Sequence, residues 1–529
     1  MSRSDQVAVV APPAQRVALP TAAACSAPPL PEGPCPVCPR LAEPFEPYRQ
    51  AAYWKRLHQL ALLREAELRA ELDSLRAQLR LREQQLFGAK SENHPTPSEA
   101  LPQPKIQRPR GQQPGSPGHP RRDHSHLPAV QEVIDLPDDQ RQCPCCGLPF
   151  DEFPGTEGGE ILEVEVKAYR RVYRRRRYRP TCSCEGNKGI VTAPTPDKLI
   201  PKSGRGVSVW VELLLDKYLF YRPTYRLLED CKTHALRLSL GTLTDGLQKL
   251  LPLFGPVYAA LVEHNQGQVH WHADETRWLV YATVEGKVGH RWTLWVFHSE
   301  EAVVFVLDSG RAHDVPEDHL GPVEEGILSV DRYSAYKAMK QVKQGLILLA
   351  FCWAHVRRDF LEVARCWPSQ EGWALAWVQR VGRLYQLNQE RLEVLDQPEA
   401  FAGKDEQTRQ QLAQMEQQAQ TELSQPGIHP ARQKALASLQ EHWDGLTVFV
   451  EHPEVPLDNN TAERVLRGPV VGRKNYRGSG AAWSGELAAL LFSIFQTLCL
   501  WDVNPREWLV AYLRDCAKAG GEAPEELGE

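Results

Sequence analysis

Hydrophobic and polar positions change period several times along the chain, and each change marks an element. From Tyr48 to about Glu92 the residues are Leu, Arg, Glu and Ala with almost no helix breakers. Leu68, Leu72, Leu75, Leu79 and Leu86 step by four, three, four and seven, which sets them on one helix face as an a/d seam. A lone helix cannot bury that stripe. The seam therefore predicts a self-associating coiled coil over 47–92; the plainer alternative is a helix packed on its own globular domain. Residues 205–263 read as three or four helices, with turns at Arg222-Pro223 and near Leu240-Gly241. The helix opened by Ser239 or Thr242 gives helix-turn-helix spacing, a pattern that any small helical bundle shares.

After Gln266 the period switches to that of strands. VHWHADETRWLVYATV, HRWTLWVFHS and AVVFVLDSG are separated by short turns and predict an antiparallel meander with Asp274 inside its first strand. GILSV then ends in Asp331 ahead of a helix start, and LILLAF runs into a helix near His355. Residues 361–450 are rich in Gln, Glu, Leu and Arg (LNQERLEVLDQ, QTRQQLAQMEQQAQTEL) and read as helices. In PLDNNTAERVLR an Asn-rich cap precedes a helix carrying Glu463.

The chain has 529 residues, too many for one ordinary core, and a net charge of -5. Affinity for nucleic acid must come from local basic patches rather than from the whole molecule. The longest apolar run, LAALLFSIFQTLCLW near 487, is short for a membrane span and interrupted by Ser, Gln and Thr. No signal peptide is expected, because Pro12 and Pro13 break the brief apolar stretch at the start. Residues 1–44 hold ten prolines and lack core periodicity, so 1–46 reads as disordered, and CPVC at 35–38 stands without a second pair nearby. Residues 93–128, with RPRGQQPGSPGHPRR, read as a stiff basic linker.

Thirteen cysteines, several closely spaced in so large a chain, fit a reducing compartment and a metal site better than disulfides. Cys143 and Cys146 in QCPCCG, with Cys182 and Cys184 in TCSC, form two thiolate pairs at the ends of a hairpin, the pattern of a zinc ribbon over 129–200. The second pair is one residue tighter than the first, and Cys145 can substitute for one ligand. Between the pairs, ILEVEVKAYRRVYRRRRYRP alternates like a strand. Lys167–Arg179 carries eight basic residues and no acidic one, interleaved with Tyr169, Tyr173 and Tyr178. Arg170, Arg171, Arg174, Arg175, Arg176 and Arg177 are candidate phosphate contacts; the alternative is a solvated face.

An Asp within a first strand and an Asp at the end of a later one can meet at the carboxyl edge of a sheet. Clustered carboxylates repel one another, so such a site usually holds divalent cations. Glu275 alternates to the opposite face, and Glu275→Gln should keep substantial activity. Asp458 reads as a cap; Asp308, Asp314 and Asp359 read as structural or surface residues; Cys352 and His355 supply only two ligands and read as structural or positioning.

HADETRWLV, SVDRYSAYKAM, FCWAHVRRDF and PLDNNTAERVLRGPVVGRKNY resemble the insertion sequence 66 family of bacterial transposases. QLFGAKSE, CPCCG and TAPTPDKLIPKS extend the resemblance over about 55–515. It implies a multidomain α+β/α/β chain: N-terminal coiled coil, zinc ribbon, helix-turn-helix-like domain over 201–265, and RNase H-like catalytic core over 266–515 with a helical insertion at about 361–450, before a tail at 516–529. It implies a DDE triad of Asp274, Asp331 and Glu463 binding Mg²⁺ or Mn²⁺, and structural zinc. The single-residue spacing of Cys182 and Cys184 departs from the family pattern. Arg467, Arg473 and Lys474 would hold DNA backbone near the scissile phosphate. The implied activity is binding of terminal inverted repeats, phosphodiester hydrolysis and strand transfer by a bacterial cytoplasmic dimer or larger assembly, with accessory proteins encoded alongside. The alternatives are a silent DNA-binding regulator and a structure-specific nuclease without strand transfer.

Overall fold

A computed structural model describes residues 46–87, 127–130, 137, 141, 144–149, 161–163, 166–179, 181, 190–283 and 290–525. The N-terminal stretch with CPVC, nearly all of the basic linker, and Cys143, Cys182 and Cys184 lie outside the described residues. The chain divides into two units, 1–88 and 89–529.

The first unit holds one helix, α1 (Glu46–Phe87), of 42 residues. Leu68, Leu72, Leu75 and Leu79 are each about half exposed along it. The seam read from the sequence is thus helical and faces solvent.

In the second unit, β1 (Arg177–Tyr178) pairs antiparallel with β2 (Val191–Thr192). The longer strand expected over 161–180 is otherwise irregular among its described residues. Three helices follow: α2 (Val207–Leu214), which widens into a π-turn at Leu215–Leu219, α3 (Thr224–Thr233) and α4 (Leu240–Gln266). The Ser239 hydroxyl caps α4 by accepting from Thr242 N at 3.2 Å. Pro252 and Pro256 sit inside α4 and remove donors from its ladder, but Leu250, Leu253 and Phe254 around them are buried.

A five-stranded mixed sheet follows in the spatial order β5-β4-β3-β6-β7. β3 (His270–Leu279), β4 (Arg291–His298) and β5 (Val303–Asp308) form the antiparallel meander. After α5 (Asp314–His319), β6 (Gly326–Val330) pairs parallel to β3. The short helices α6 (Ser334–Ala338) and α7 (Lys340–Lys343) lead to β7 (Ile347–Phe351), parallel to β6. Helices α8 (Trp353–Cys366), α9 (Glu371–Leu392), α10 (Pro398–Leu423), α11 (Pro430–Glu441), α12 (Trp443–Leu446) and α13 (Val448–Glu451) follow β7, and the stretch expected to be helical at about 361–450 lies within them. They have their own core, built on Trp353, Phe360, Trp377, Met415 and Leu436. The chain returns to the sheet through α14 (Asn460–Tyr476), α15 (Ala482–Leu500) and α16 (Pro505–Lys518).

The helical stretch before β3 and the helices after the insertion share one core: Trp210, Leu250 and Phe254 pack in the same cluster as Val296, Phe305, Leu491 and Phe492. Within it, α15 has the length and hydropathy of a membrane span, yet its apolar side chains pack against β5 and α4. The hydroxyls that interrupt its apolar run have a specific task. Ser493 Oγ accepts from Phe305 N at 2.8 Å, and Thr497 Oγ1 accepts from Val303 N at 3.0 Å. They satisfy the outer edge of β5, where backbone donors would otherwise be buried without partners.

Candidate active site

The site grows from the alternation of β3. Odd positions Trp271 and Ala273 enter a core with Leu328, Val330 and Tyr336. Even positions face α14: His272 meets Asn459, Thr276 meets Arg473, and Trp278 meets Ser479 beyond the helix. Asp274 belongs to this even set. In the β3–β6 ladder His272 pairs with Ser329, so the register continued by two residues sets Asp274 opposite Asp331. Asp331 lies one residue past β6, where its Oδ1 accepts from Tyr333 N at 2.8 Å.

Helix α14 brings the third carboxylate. Asn459, 1% exposed at its N-cap, donates from Nδ2 to Ala273 O at 2.7 Å, and its Oδ1 accepts from His272 Nδ1 at 2.9 Å. Its backbone N–H donates to Cys352 Sγ at 3.3 Å, at the start of α8. One buried amide thereby ties β3, α8 and α14 together next to Asp274. Asp458 Oδ1 accepts from Asn460 N at 3.1 Å and works as a cap. Farther along, Arg473 donates to Thr276 Oγ1 at 3.0 Å and to Arg277 O. After the helix, Ser479 N donates to Leu279 O at 2.8 Å. With both ends fixed along β3, α14 carries Glu463 in its first turn, near enough for its charge to act on Asp274.

Burial pushes the Asp274 carboxyl up to about 8, and the charges of Glu275, Asp331 and Glu463 add to the effect. Asp274 thus senses the charges of Asp331 and Glu463 as well as that of its neighbour Glu275. Glu463 is held by Arg358 of α8, whose Nη2 lies 3.2 and 3.1 Å from its two oxygens. Arg358 Nη1 also contacts His355 Nε2 at 3.1 Å. His355 Nε2 is 3.8 Å from Glu463, but burial and Arg358 push its pKa down, so the ring is neutral and Arg358 supplies the positive charge. The arginine is 42% exposed and the glutamate 23%, so the pair contributes on the order of 1 kcal/mol or less.

Glu275 faces away from Asp274, as alternation requires, but it is not a bystander. Its side chain is 2% exposed and accepts from Arg311 Nη2 at 2.5 Å and from Tyr336 Oη at 2.9 Å. Arg311 stacks on Tyr333, 4.1 Å from the ring centre. Asn459 is read from the sequence only as part of a cap, and Arg358, Arg311 and Tyr336 are not marked there as site residues. HVRRDF carried a signal for one of them, since His355 and Arg358 are three apart on a helix and share a face.

Arg170, Arg171, Arg174, Arg175, Arg176 and Arg177 are all exposed, with Arg175 Nε donating to Ala193 O at 2.6 Å. Arg467 and Lys474 are exposed on α14, whereas Arg473 is spent on β3. Cys145 and Cys146 are exposed on a tight turn closed by Gly147 at φ 71. Among the described residues, no three His, Cys, Asp or Glu side chains are gathered closely enough to hold a metal ion. Carboxylate oxygens are nonetheless the donors a hard cation takes, and burial, with the neighbouring negative charges added, raises the Asp274 carboxyl.

Fold and site together define a mixed α/β protein with an acidic centre at the carboxyl edge of its sheet. A family model described as "Transposase IS66 family" matches residues 202–487, more than half of the chain, and spans the sheet, the insertion and α14. The chain belongs to this family of transposases. Two similar proteins of Sinorhizobium fredii (strain NBRC 101917 / NGR234) are described as uncharacterized. Protein y4jD is 27% identical over 407 residues, covering 73% of this chain and 76% of its own. Protein y4hP is 26% identical over 389 residues, covering 70% of each.

Proposed function

We propose that the chain is a DNA transposase that binds the terminal inverted repeats of an insertion sequence, hydrolyses a phosphodiester at each end and joins the freed 3′ end to target DNA. The observation that carries this reading is the β3–β6 register, which sets Asp274 opposite Asp331, with the helix that carries Glu463 tied to β3 beside them. The sheet order β5-β4-β3-β6-β7 supports an RNase H-like core around it.

Asp274, Asp331 and Glu463 would hold Mg²⁺ or Mn²⁺. Bound there, the ion supplies charge that offsets the in-line transition state and lowers the pKa of the attacking water. Asp274 gives up its proton when the site is loaded. Asn459 keeps the β3 backbone at Ala273 and the start of α14 in register, so that the carboxylates do not drift apart. Arg467 and Lys474 hold DNA backbone, and the arginines of 170–177 with α2–α4 contact the repeats. Cys146, on its exposed turn, would bind structural zinc with Cys143, Cys182 and Cys184. The α1 seam would pair protomers, so that two ends are processed together. DNA is the partner throughout, at the bacterial nucleoid, with proteins encoded by the element as accessories.

The test is cleavage and joining of a labelled duplex carrying the element's own end. Asp274→Asn, Asp331→Asn and Glu463→Gln are each expected to abolish cleavage while end binding persists, because each amide keeps size but loses the charge that holds a hard cation. Activity in all three would overturn the reading. Activity in Glu463→Gln alone would move the third ligand to Asp458. Cleaved ends that never join another duplex would make the protein a nuclease instead.

A further inference from the structure

Arg358 is the cation that pairs with Glu463. Its guanidinium bridges both oxygens of Glu463 and the neutral ring of His355, at the rim of the acidic site. The α8 backbone beneath it is fixed, because Val356 and Phe360 are buried in the insertion core. The side chain is 42% exposed, so it can leave Glu463 without unpacking the helix. Guanidinium groups match carboxylate and phosphate by the same two-pronged geometry, so a phosphate brought to this rim competes directly for Arg358.

We propose that Arg358 is a phosphate-binding residue of the reaction that doubles as a plug. In the DNA-free protein it neutralises Glu463; when DNA is seated its guanidinium passes to a backbone phosphate and frees Glu463 to act as a ligand. This rests on the carboxylate reading given above. It accounts for the lack, among the described residues, of a gathered three-ligand set: the third acid is turned onto Arg358. The consequence is ordered assembly. A divalent cation binds weakly until DNA arrives, and hydrolysis is confined to a seated substrate. Linkage then requires that the cation strengthen DNA binding by the same factor by which DNA strengthens cation binding.

The experiment measures Mn²⁺ binding to the full chain without DNA, by electron paramagnetic resonance of the free ion. Binding retained by Asp274→Asn is subtracted as unrelated to the site. Arg358→Gln is expected to bind Mn²⁺ tighter than the parent by about fivefold or more, and to lose cleavage of the end duplex. Arg464→Gln removes the same charge one residue from Glu463, without the bridge, and is expected to change Mn²⁺ affinity much less. Addition of the end duplex should tighten Mn²⁺ binding by a larger factor in the parent than in Arg358→Gln. Equal DNA-free affinity in Arg358→Gln and the parent overturns the plug, as does an equal gain in Arg464→Gln, which would mark diffuse charge. If Glu463→Gln leaves Mn²⁺ binding unchanged in the presence of the end duplex, the carboxylate reading itself fails, a result distinct from either.

Discussion

At the scale of single residues, the site is an exercise in controlled repulsion. Asp274 is raised to about 8 by burial and by three neighbouring carboxylates, against about 3.9 in an unfolded chain. Below pH 4 both states carry the proton; between pH 4 and 8 only the folded state does. Without metal, this group therefore stabilises the fold at low pH, and that contribution is lost as the pH rises through 8. Asp274→Asn is expected to melt higher than the parent at pH 8 in chelator, with the gap closing towards pH 4. Each kcal/mol removed is read as roughly 2–4 °C. Thermal melts across that range check it, and a gap that widens on acidification would contradict the shift. Sequence alternation correctly separated Asp274 from Glu275. It did not show that Glu275 is locked by Arg311 and Tyr336, because those partners come from segments far along the chain.

At the scale of elements, two helices show opposite outcomes of a similar apolar content. Helix α1 leaves its leucine seam in solvent, which is the condition under which a second copy lowers the free energy. A fragment of 47–92 is expected to be helical and dimeric or larger by sedimentation, and Leu75→Pro should abolish both, at about 3 kcal/mol for an interior proline. A monomeric fragment would remove the coiled coil. Helix α15, of membrane-span length, is instead a core helix, and its hydroxyls give the reason. Ser493→Ala is expected to destabilise the protein by about 1–3 kcal/mol, because Phe305 N would be left buried without an acceptor. Urea unfolding measures this, and a cost under about 0.5 kcal/mol, the range of an ordinary surface change, would mean that β5 does not depend on the cap.

At the scale of the whole molecule, buried neutral histidines set the response to acid. Burial lowers His272 and His298 to about 4 and His319 to about 3. His319 stacks on Phe297 and donates to Asn265. The unfolded chain takes up protons below about 6.5 and the folded chain does not. This stability is present above pH 6.5 and lost as the pH falls towards 4 and 3, the reverse of the Asp274 contribution and carried by three groups. The melting temperature is expected to drop between pH 7 and 5, and His319→Gln should flatten the drop. A melting temperature that holds steady or rises would overturn this. The sequence by itself determined the elements: helix and strand periods are local, so α1, the meander, the two following strands, the insertion and the α14 cap were legible. It also offered Asp274, Asp331 and Glu463 as candidates, through their places in the strand and helix pattern and through the family resemblance. Among the described residues of 161–180 the strand pattern holds for Arg177 and Tyr178, which find a ladder partner. Tertiary structure alone decided the rest. The merging of the 205–263 helices into one core with α15, the Asn459 tie and the Arg358 bridge each join segments separated by tens to hundreds of residues. Such contacts depend on where packing brings chain segments together, and no local period encodes that.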